Sequence, residues 1–451
     1  MGRVKGTPAQ GLAGATLGFF IGFAAVALFG PTAARFQQAM HLSPMAVGFL
    51  VAMPSLSGSL LRIPFSAWVD TTGGRKPFLV LLTLSVIGMV SLSAVVAFLY
   101  PNGLTPACYL LLLVLAILCG CGIATFSVGI SQVSYWFPKK TQGWALAVFG
   151  GVGNVAPGIF SMVIPMALVS LGLTGSYLIW LGMLATGTVL YFLIGRNSPY
   201  FQLRAQGMEA VEARRQASAY GQAMFPAGSL KDSLALSGRV WRTWALVTIY
   251  FTTFGGFIAL TAWLPTYWTG CFGMTPIQAG ALTALYSVLT SLIRMLGGMV
   301  SDKLREGGEN TAILALFIML MGALVMIGAR DYQLAIPGEI LLAFGMGICN
   351  AAVFKMVPQA VPGAVGGAAG WVGGLGAFGG FAIPPMLAFA VHDLGKSGYP
   401  IGFVVYLFLA LLSLFMAWVL KYLEERGEQV AEPPGRGARQ IAELPAEKAT
   451  A

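Results

Sequence analysis

The chain has 451 residues, 57% of them hydrophobic and only 9% charged, and a formal net charge of +10. A soluble domain carries about 25% charged residues, so this composition excludes a string of soluble domains and puts most of the chain in lipid. The positive charge is no nucleic-acid signal, because the basic residues sit in short loops beside apolar stretches, where they set membrane orientation.

A helix needs about 20 apolar residues to cross a bilayer. Twelve stretches qualify, at roughly 10–34, 45–69, 77–99, 105–137, 142–169, 174–195, 241–268, 276–301, 311–329, 334–357, 363–391 and 398–421. Arg3 and Lys5 precede the first, and no small-residue cleavage site follows it, so it reads as an uncleaved span. Gly and Pro mark the breaks, as at Tyr100-Pro101-Asn102-Gly103 and Gly172-Leu173-Thr174-Gly175. The longest polar interruption separates six spans from six. The expected fold is an all-α membrane protein of twelve transmembrane helices in two six-helix bundles, 1–195 and 241–425, with a cytoplasmic linker at 196–240 and a disordered cytoplasmic tail at 426–451. Arg75-Lys76, Lys139-Lys140 and Lys303/Arg305 fall on one side of this topology. The positive-inside rule therefore places both termini in the cytoplasm and the chain in the inner membrane as a multi-pass protein. Five cysteines, at Cys108, Cys119, Cys121, Cys271 and Cys349, form neither a disulfide framework nor a metal pattern. No metal, cofactor or nucleic acid is expected; membrane lipid surrounds a monomer.

Arg62 and Arg294 carry the chemistry. Each lies inside an apolar stretch and is followed eight positions later by an aspartate, Asp70 and Asp302, once in each half. Eight residues make about 12 Å of helix, which puts both arginines near the middle of a roughly 30 Å hydrocarbon core. An arginine there marks a functional site by default. Asp70 and Asp302 stand at span mouths and Glu339 at the outer start of the tenth span, so neither arginine has a deep acidic partner. An unpaired buried charge is costly, which makes a bound anion the expected counter-charge. The guanidinium's planar, paired donors suit a flat oxyanion.

Glycine is the second signal. Span 5 reads Gly150-Gly151-Val152-Gly153-Asn154, and span 11 holds Gly366-Gly367, Gly370, Gly373-Gly374, Gly376 and Gly379-Gly380. Small-residue stripes permit close helix packing, and this density also lets spans 5 and 11 slide or bend.

The halves echo each other. Phe19–Phe23 before Gly30-Pro31 parallels Thr253–Phe257 before Leu264-Pro265. Parallel six-span repeats with a site at their interface are the organisation of major facilitator transporters. Ser66-Ala67-Trp68-Val69-Asp70 with Gly74-Arg75-Lys76 resembles that superfamily's loop signature, with Ser66 in place of its leading glycine. Residues 10–425 resemble the nitrate/nitrite porter family, on Arg62, Phe126, the run GGVGNVAPG with Asn154, Tyr250 and Phe254, Arg294, and the run GGLGAFGGF. The resemblance implies that Arg62 and Arg294 hold the substrate, that Phe126, Tyr250 and Phe254 clamp it, and that Asn154 joins them. Their concentration at equivalent positions of the two halves gives Gly150, Gly151, Gly153, Gly373, Gly374 and Gly376 an expected gating role.

The expected function is alternating-access transport of nitrate and nitrite, by exchange, with no covalent step and hence no enzyme. Proton symport is the alternative, with Lys355 near the inner end of span 10, Glu339, or a proton carried with the anion as the coupling candidates. Other readings are a facilitator for formate or oxalate, and a membrane nitrate sensor. His41 and His392 read as plain loop residues.

Overall fold

The computed structural model describes residues 4–226, 230–303, 307–361 and 365–425, all helix or connection with no strand among them. The tail at 426–451 and Arg305 lie outside the described residues, as does the side chain of Asp302. Among the described residues, eleven helical segments are long and apolar enough to cross a membrane. The longest, Thr141–Ile194, has 54 residues and breaks at Gly172, whose φ of 70° is open to glycine but unfavourable for other residues. It therefore crosses twice, and twelve spans result. They are span 1 (Pro8–Met40), span 2 (Pro44–Thr72), span 3 (Arg75–Leu99), span 4 (Pro106–Trp136), spans 5 and 6 (141–171 and 173–194), span 7 (Trp241–Phe272), span 8 (Pro276–Gly298), span 9 (Gly308–Gly328), span 10 (Tyr332–Val357), span 11 (Gly367–Ile401) and span 12 (Val404–Leu423).

Several spans are broken near mid-length, and sequence chemistry explains most breaks. Span 2 interrupts at Leu61, where Pro64 has no N–H to give the Leu60 carbonyl. Span 5 interrupts at Val155, where Pro157 leaves Gly153 without its donor. Span 4 tightens to a 3-10 turn over Cys121–Ala124, and span 7 widens to a π-turn over Phe251–Gly255. Span 11 breaks at Phe378 between its glycines. The π-turn gives span 7 a short backbone approach to span 11: a Cβ on Gly255 would lie 2.6 Å from the Gly376 carbonyl oxygen.

The segment between the bundles folds into short helices, Pro199–Ala205, Ala210–Ala219 and Leu230–Gly238. The last of these docks on the start of span 11. Trp371 Nε1 donates to the Leu234 carbonyl at 3.0 Å, and the Gly367 N–H donates to Ser233 Oγ at 3.0 Å. The signature loop after span 2 is tied down as well. Tyr135 donates to Asp70 at 2.6 Å, and Asn197 accepts from the Arg75 N–H while donating to the Thr72 carbonyl.

The even number of crossings puts residues 8, 194, 241 and 425 at one face of the bundle, the chain-end face. At the opposite, far face the two halves press together through glycines. A Cβ on Gly48 of span 2 would overlap Ala388 of span 11, one on Gly30 of span 1 would lie 2.5 Å from the Ala262 carbonyl oxygen of span 7, and one on Gly280 of span 8 would overlap the Ser161 carbonyl of span 5. Toward the chain-end face the fit is uneven: a Cβ on Gly374 of span 11 would lie 2.7 Å from Ile63 of span 2, but Gly151 would meet only Met295, at 3.6 Å, and Gly150 nothing within 4 Å. The far face is thus the more tightly sealed one. Overpacking such a seam costs about 1–3 kcal/mol. Gly48→Val should yield a folded protein whose far face no longer closes, so a cross-link between far-face cysteines on the two halves should form several-fold more slowly than in the parent.

Candidate anion site

The helix breaks sit where the candidate residues are. Arg62 opens the second segment of span 2, Phe126 follows the 3-10 turn of span 4, and Asn154 ends the first segment of span 5. Tyr250 directly precedes the π-turn of span 7, and Phe254 lies within it. Arg294 alone comes from an unbroken helix, Pro276–Lys303. Broken helices at the repeat interface are the usual way a membrane carrier exposes polar groups at mid-depth.

Five of these residues converge. The guanidinium carbon of Arg62 lies 4.9 Å from the Phe126 ring centre and 5.2 Å from that of Phe254. That of Arg294 lies 6.0 and 5.8 Å from the same two rings. Phe126 and Phe254 stack at 5.7 Å, and Tyr250 stacks on Phe254 at 4.8 Å with an interplanar angle of 7°. One arginine from each half therefore leans on a shared stack of rings. The negative face of an aromatic ring partly offsets a cation's lost hydration, which lets two like charges stay close in an apolar place.

The two arginines are not equivalent. Arg62 is 1% exposed, and its Nε donates to the Gly58 carbonyl at 3.1 Å in its own helix. Its Nη1 crosses to the other half and donates to the Gly373 carbonyl in the span 11 glycine run at 3.2 Å. Arg294 is half-buried. Each keeps one buried nitrogen without a hydrogen-bond partner, Nη2 of Arg62 and Nη1 of Arg294. The Tyr250 hydroxyl faces both guanidiniums, yet it too is buried without meeting hydrogen-bond geometry. Asn154 reaches the site through its neighbour: Ser291, one turn before Arg294, donates to the Asn154 backbone carbonyl at 3.0 Å, while Asn154 Oδ1 is buried and unpartnered. Buried polar groups are almost always satisfied, so four unmade contacts among these residues suit a small polar ligand.

The glycines divide by role. A Cβ on Gly376 would stand 2.6 Å from the Tyr250 ring, one on Gly374 2.7 Å from Ile63, and one on Gly153 would overlap the ring of Phe19. Gly373 contributes its carbonyl to Arg62 and would make only ordinary contact with Phe354, at 4.0 Å. Lys355 is half-buried on span 10.

Sequence reasoning missed several contributors. Phe354 stands edge-on to Tyr250 at 5.1 Å and 5.8 Å from the Arg294 guanidinium. Phe19 backs Phe126 at 5.2 Å, and Phe23 stacks on Phe254 at 6.3 Å. Nothing distinguishes these phenylalanines from lipid-facing ones in the sequence. The reading of Glu339 also needs correction: although placed at the outer start of span 10, its side chain is 1% exposed inside the C-terminal bundle. The helix begins at Tyr332, so Glu339 is two turns in.

Comparison with known proteins bears on the family and the fold. The Major Facilitator Superfamily model matches residues 15–384 and again 272–448. The chain is 31% identical to the Thermus thermophilus protein named "Probable nitrate/nitrite antiporter NarK1", over 92% of each chain. It is 30% identical to a Mycobacterium tuberculosis protein named "Probable nitrate/nitrite transporter NarK2", over 87% of this chain and 91% of that one. Among solved structures, a partially occluded inward-open conformation of the Escherichia coli xylose transporter XylE superposes with a TM-score of 0.69 at 16% identity, covering 92% of this chain and 99% of that one, a likeness of fold alone. With its twelve spans and its paired arginines, the chain belongs to the Major Facilitator Superfamily and, within it, to the nitrate/nitrite porter family.

Proposed function

We propose that this protein carries nitrate and nitrite across the cytoplasmic membrane by alternating access, exchanging one anion for the other. The observation that carries the reading is the pair of guanidiniums, one from each half, set against the same two rings with one unpartnered nitrogen each. A planar anion between them accepts in-plane hydrogen bonds from both arginines while Phe126, Phe254 and Tyr250 shield its faces. Charge-assisted bonds of this kind are roughly twice as strong as neutral ones. The names of the two relatives supply the identity of the anions. With the basic loops cytoplasmic, the sealed far face is the outer one, and the site drains inward.

Exchange follows from charge. Reorienting an empty site moves two fixed cations through low dielectric, at a cost of several kcal/mol. A bound anion offsets part of that cost, so the loaded carrier turns over faster than the empty one. The relative named as an antiporter agrees with this mode. Vesicles preloaded with nitrite should take up nitrate rapidly, and empty vesicles should stay slow whatever the pH gradient. Strong accumulation in empty vesicles under an inward proton gradient would establish symport instead.

Two substitution series test the site itself. Arg62→Lys or Arg294→Lys keeps the charge but loses the fork, and removing one partner of a desolvated pair costs about 2–5 kcal/mol. Nitrate binding by calorimetry should weaken accordingly in each. Gly376→Ala drives a methyl into the Tyr250 ring and should raise the Kd for nitrate several-fold, while Gly150→Ala, with open space around it, should bind as the parent does. Equal affinities in the two alanine variants would remove Tyr250 from the site.

A further inference from the structure

Glu339 is unused by the anion site, and its surroundings give it another role. Neither of its carboxyl oxygens has a hydrogen-bond partner. Three groups face it: Trp268 and Tyr267 from span 7, and Tyr286 from span 8. Trp268 Nε1 and the Tyr267 hydroxyl are themselves buried without partners, and the Tyr286 hydroxyl donates to Met346 Sδ at 2.9 Å. From span 9, Met326 and Val325 pack against the neighbouring Gly338. Behind this shell, Cys271 lies near Tyr267, Tyr406 near Tyr286, and Lys396 near Cys271. The Tyr267 ring is packed by Trp268, Phe272 and Phe403 at 5.0, 5.7 and 5.3 Å.

The indole N–H of Trp268 and the Tyr267 hydroxyl are donors close to the carboxyl, but no cation faces it, and a carboxylate anion buried without one among such rings is costly. The neutral acid carries no such cost and can still accept from Trp268. The cluster also sits on the seam. Trp268 is one turn beyond Pro265, which with Ala262 receives Gly30 of the other half, and Tyr286 is six residues beyond Gly280, which packs on Ser161. Both helices of the C-terminal half that make these far-face contacts therefore also face Glu339. Tyr286 leads on to the anion site through Phe257 at 6.1 Å and Phe254 at 5.8 Å.

We propose that Glu339 is a proton-binding site that latches the far face shut: the protonated acid fits the sealed cluster, and loss of the proton to water draws spans 7 and 8 apart so that water reaches the carboxylate. A ligand shifts a conformational equilibrium only through its differential affinity for the two states. Here the ligand is the proton, which the sealed state holds and the open state releases, so acid favours closure and alkali favours opening. The proposal rests on alternating access but not on the identity of the anion.

Spin labels at Gln38 and Ser397, both exposed at the far face in opposite halves, report the opening when placed in a Cys108→Ser background, the other four cysteines being buried. Without nitrate, the distance distribution should shift from short to long as pH rises. Glu339→Gln, a permanent mimic of the neutral acid, should keep the short population at every pH, and Glu339→Asp should move the midpoint. Infrared spectra of the unlabelled protein should show a carboxylic-acid band at low pH that Glu339→Gln removes. A pH-independent distribution in the parent, or a Glu339→Gln variant that titrates like it, overturns the proposal, as does absence of the acid band. Nitrate added at fixed pH tests alternating access separately, since a label pair deaf to nitrate but responsive to pH would fault the transport reading and leave the latch standing.

Discussion

Two like charges held around one stack of rings set the terms for the rest of the structure. Arg62 and Arg294 come from different halves and share Phe126 and Phe254. Nothing in an apolar bundle favours that arrangement by itself, so it needs ring faces and backbone carbonyls, and the proposed anion would relieve it further. The rings are in place, and so are the carbonyls of Gly58 and Gly373. What remains unmade is one donor on each guanidinium, and under the proposed function these two donors are where the anion would bind.

The helix breaks follow from the same demand. A regular helix spends its carbonyls internally, and it holds side chains at fixed angles. Breaks at Leu61 and Val155, the 3-10 turn before Phe126 and the π-turn between Tyr250 and Gly256 all fall at the level of the site. Proline explains two of them, Pro64 and Pro157. Glycine explains how the ring stack and span 11 approach each other, since Gly376 lies where any side chain would meet Tyr250. Packing that is tight at the far face and loose around Gly150 then gives the halves one sealed end and one yielding end.

Much of this was legible in the sequence. The twelve spans are read from hydropathy alone, with the boundary between spans 5 and 6 marked by Gly172. The arginines are legible because charge is rare in lipid, so each stands out without reference to its neighbours. The rings are not legible in that way: Phe126 and Phe254 needed a family resemblance, and Phe354, Phe19 and Phe23 went unseen because phenylalanine is ordinary in a membrane span. Glu339 was misplaced for a related reason. Counting from a helix end gives depth but not facing, and only the packing of spans 7 and 8 shows that its carboxyl points into the bundle. The partner of Arg62 in the opposite half, the Gly373 carbonyl, is 311 residues away and has no sequence signature.

The central claim is that both arginines bind one anion at one site, and a double-mutant cycle on nitrate affinity tests it most directly. Residues that share a ligand couple, whereas independent sites add. Calorimetry on the parent, Arg62→Lys, Arg294→Lys and the double variant should give single losses of similar size and a double loss well short of their sum. Strictly additive losses, or a single variant with the parent's affinity, would contradict a shared site.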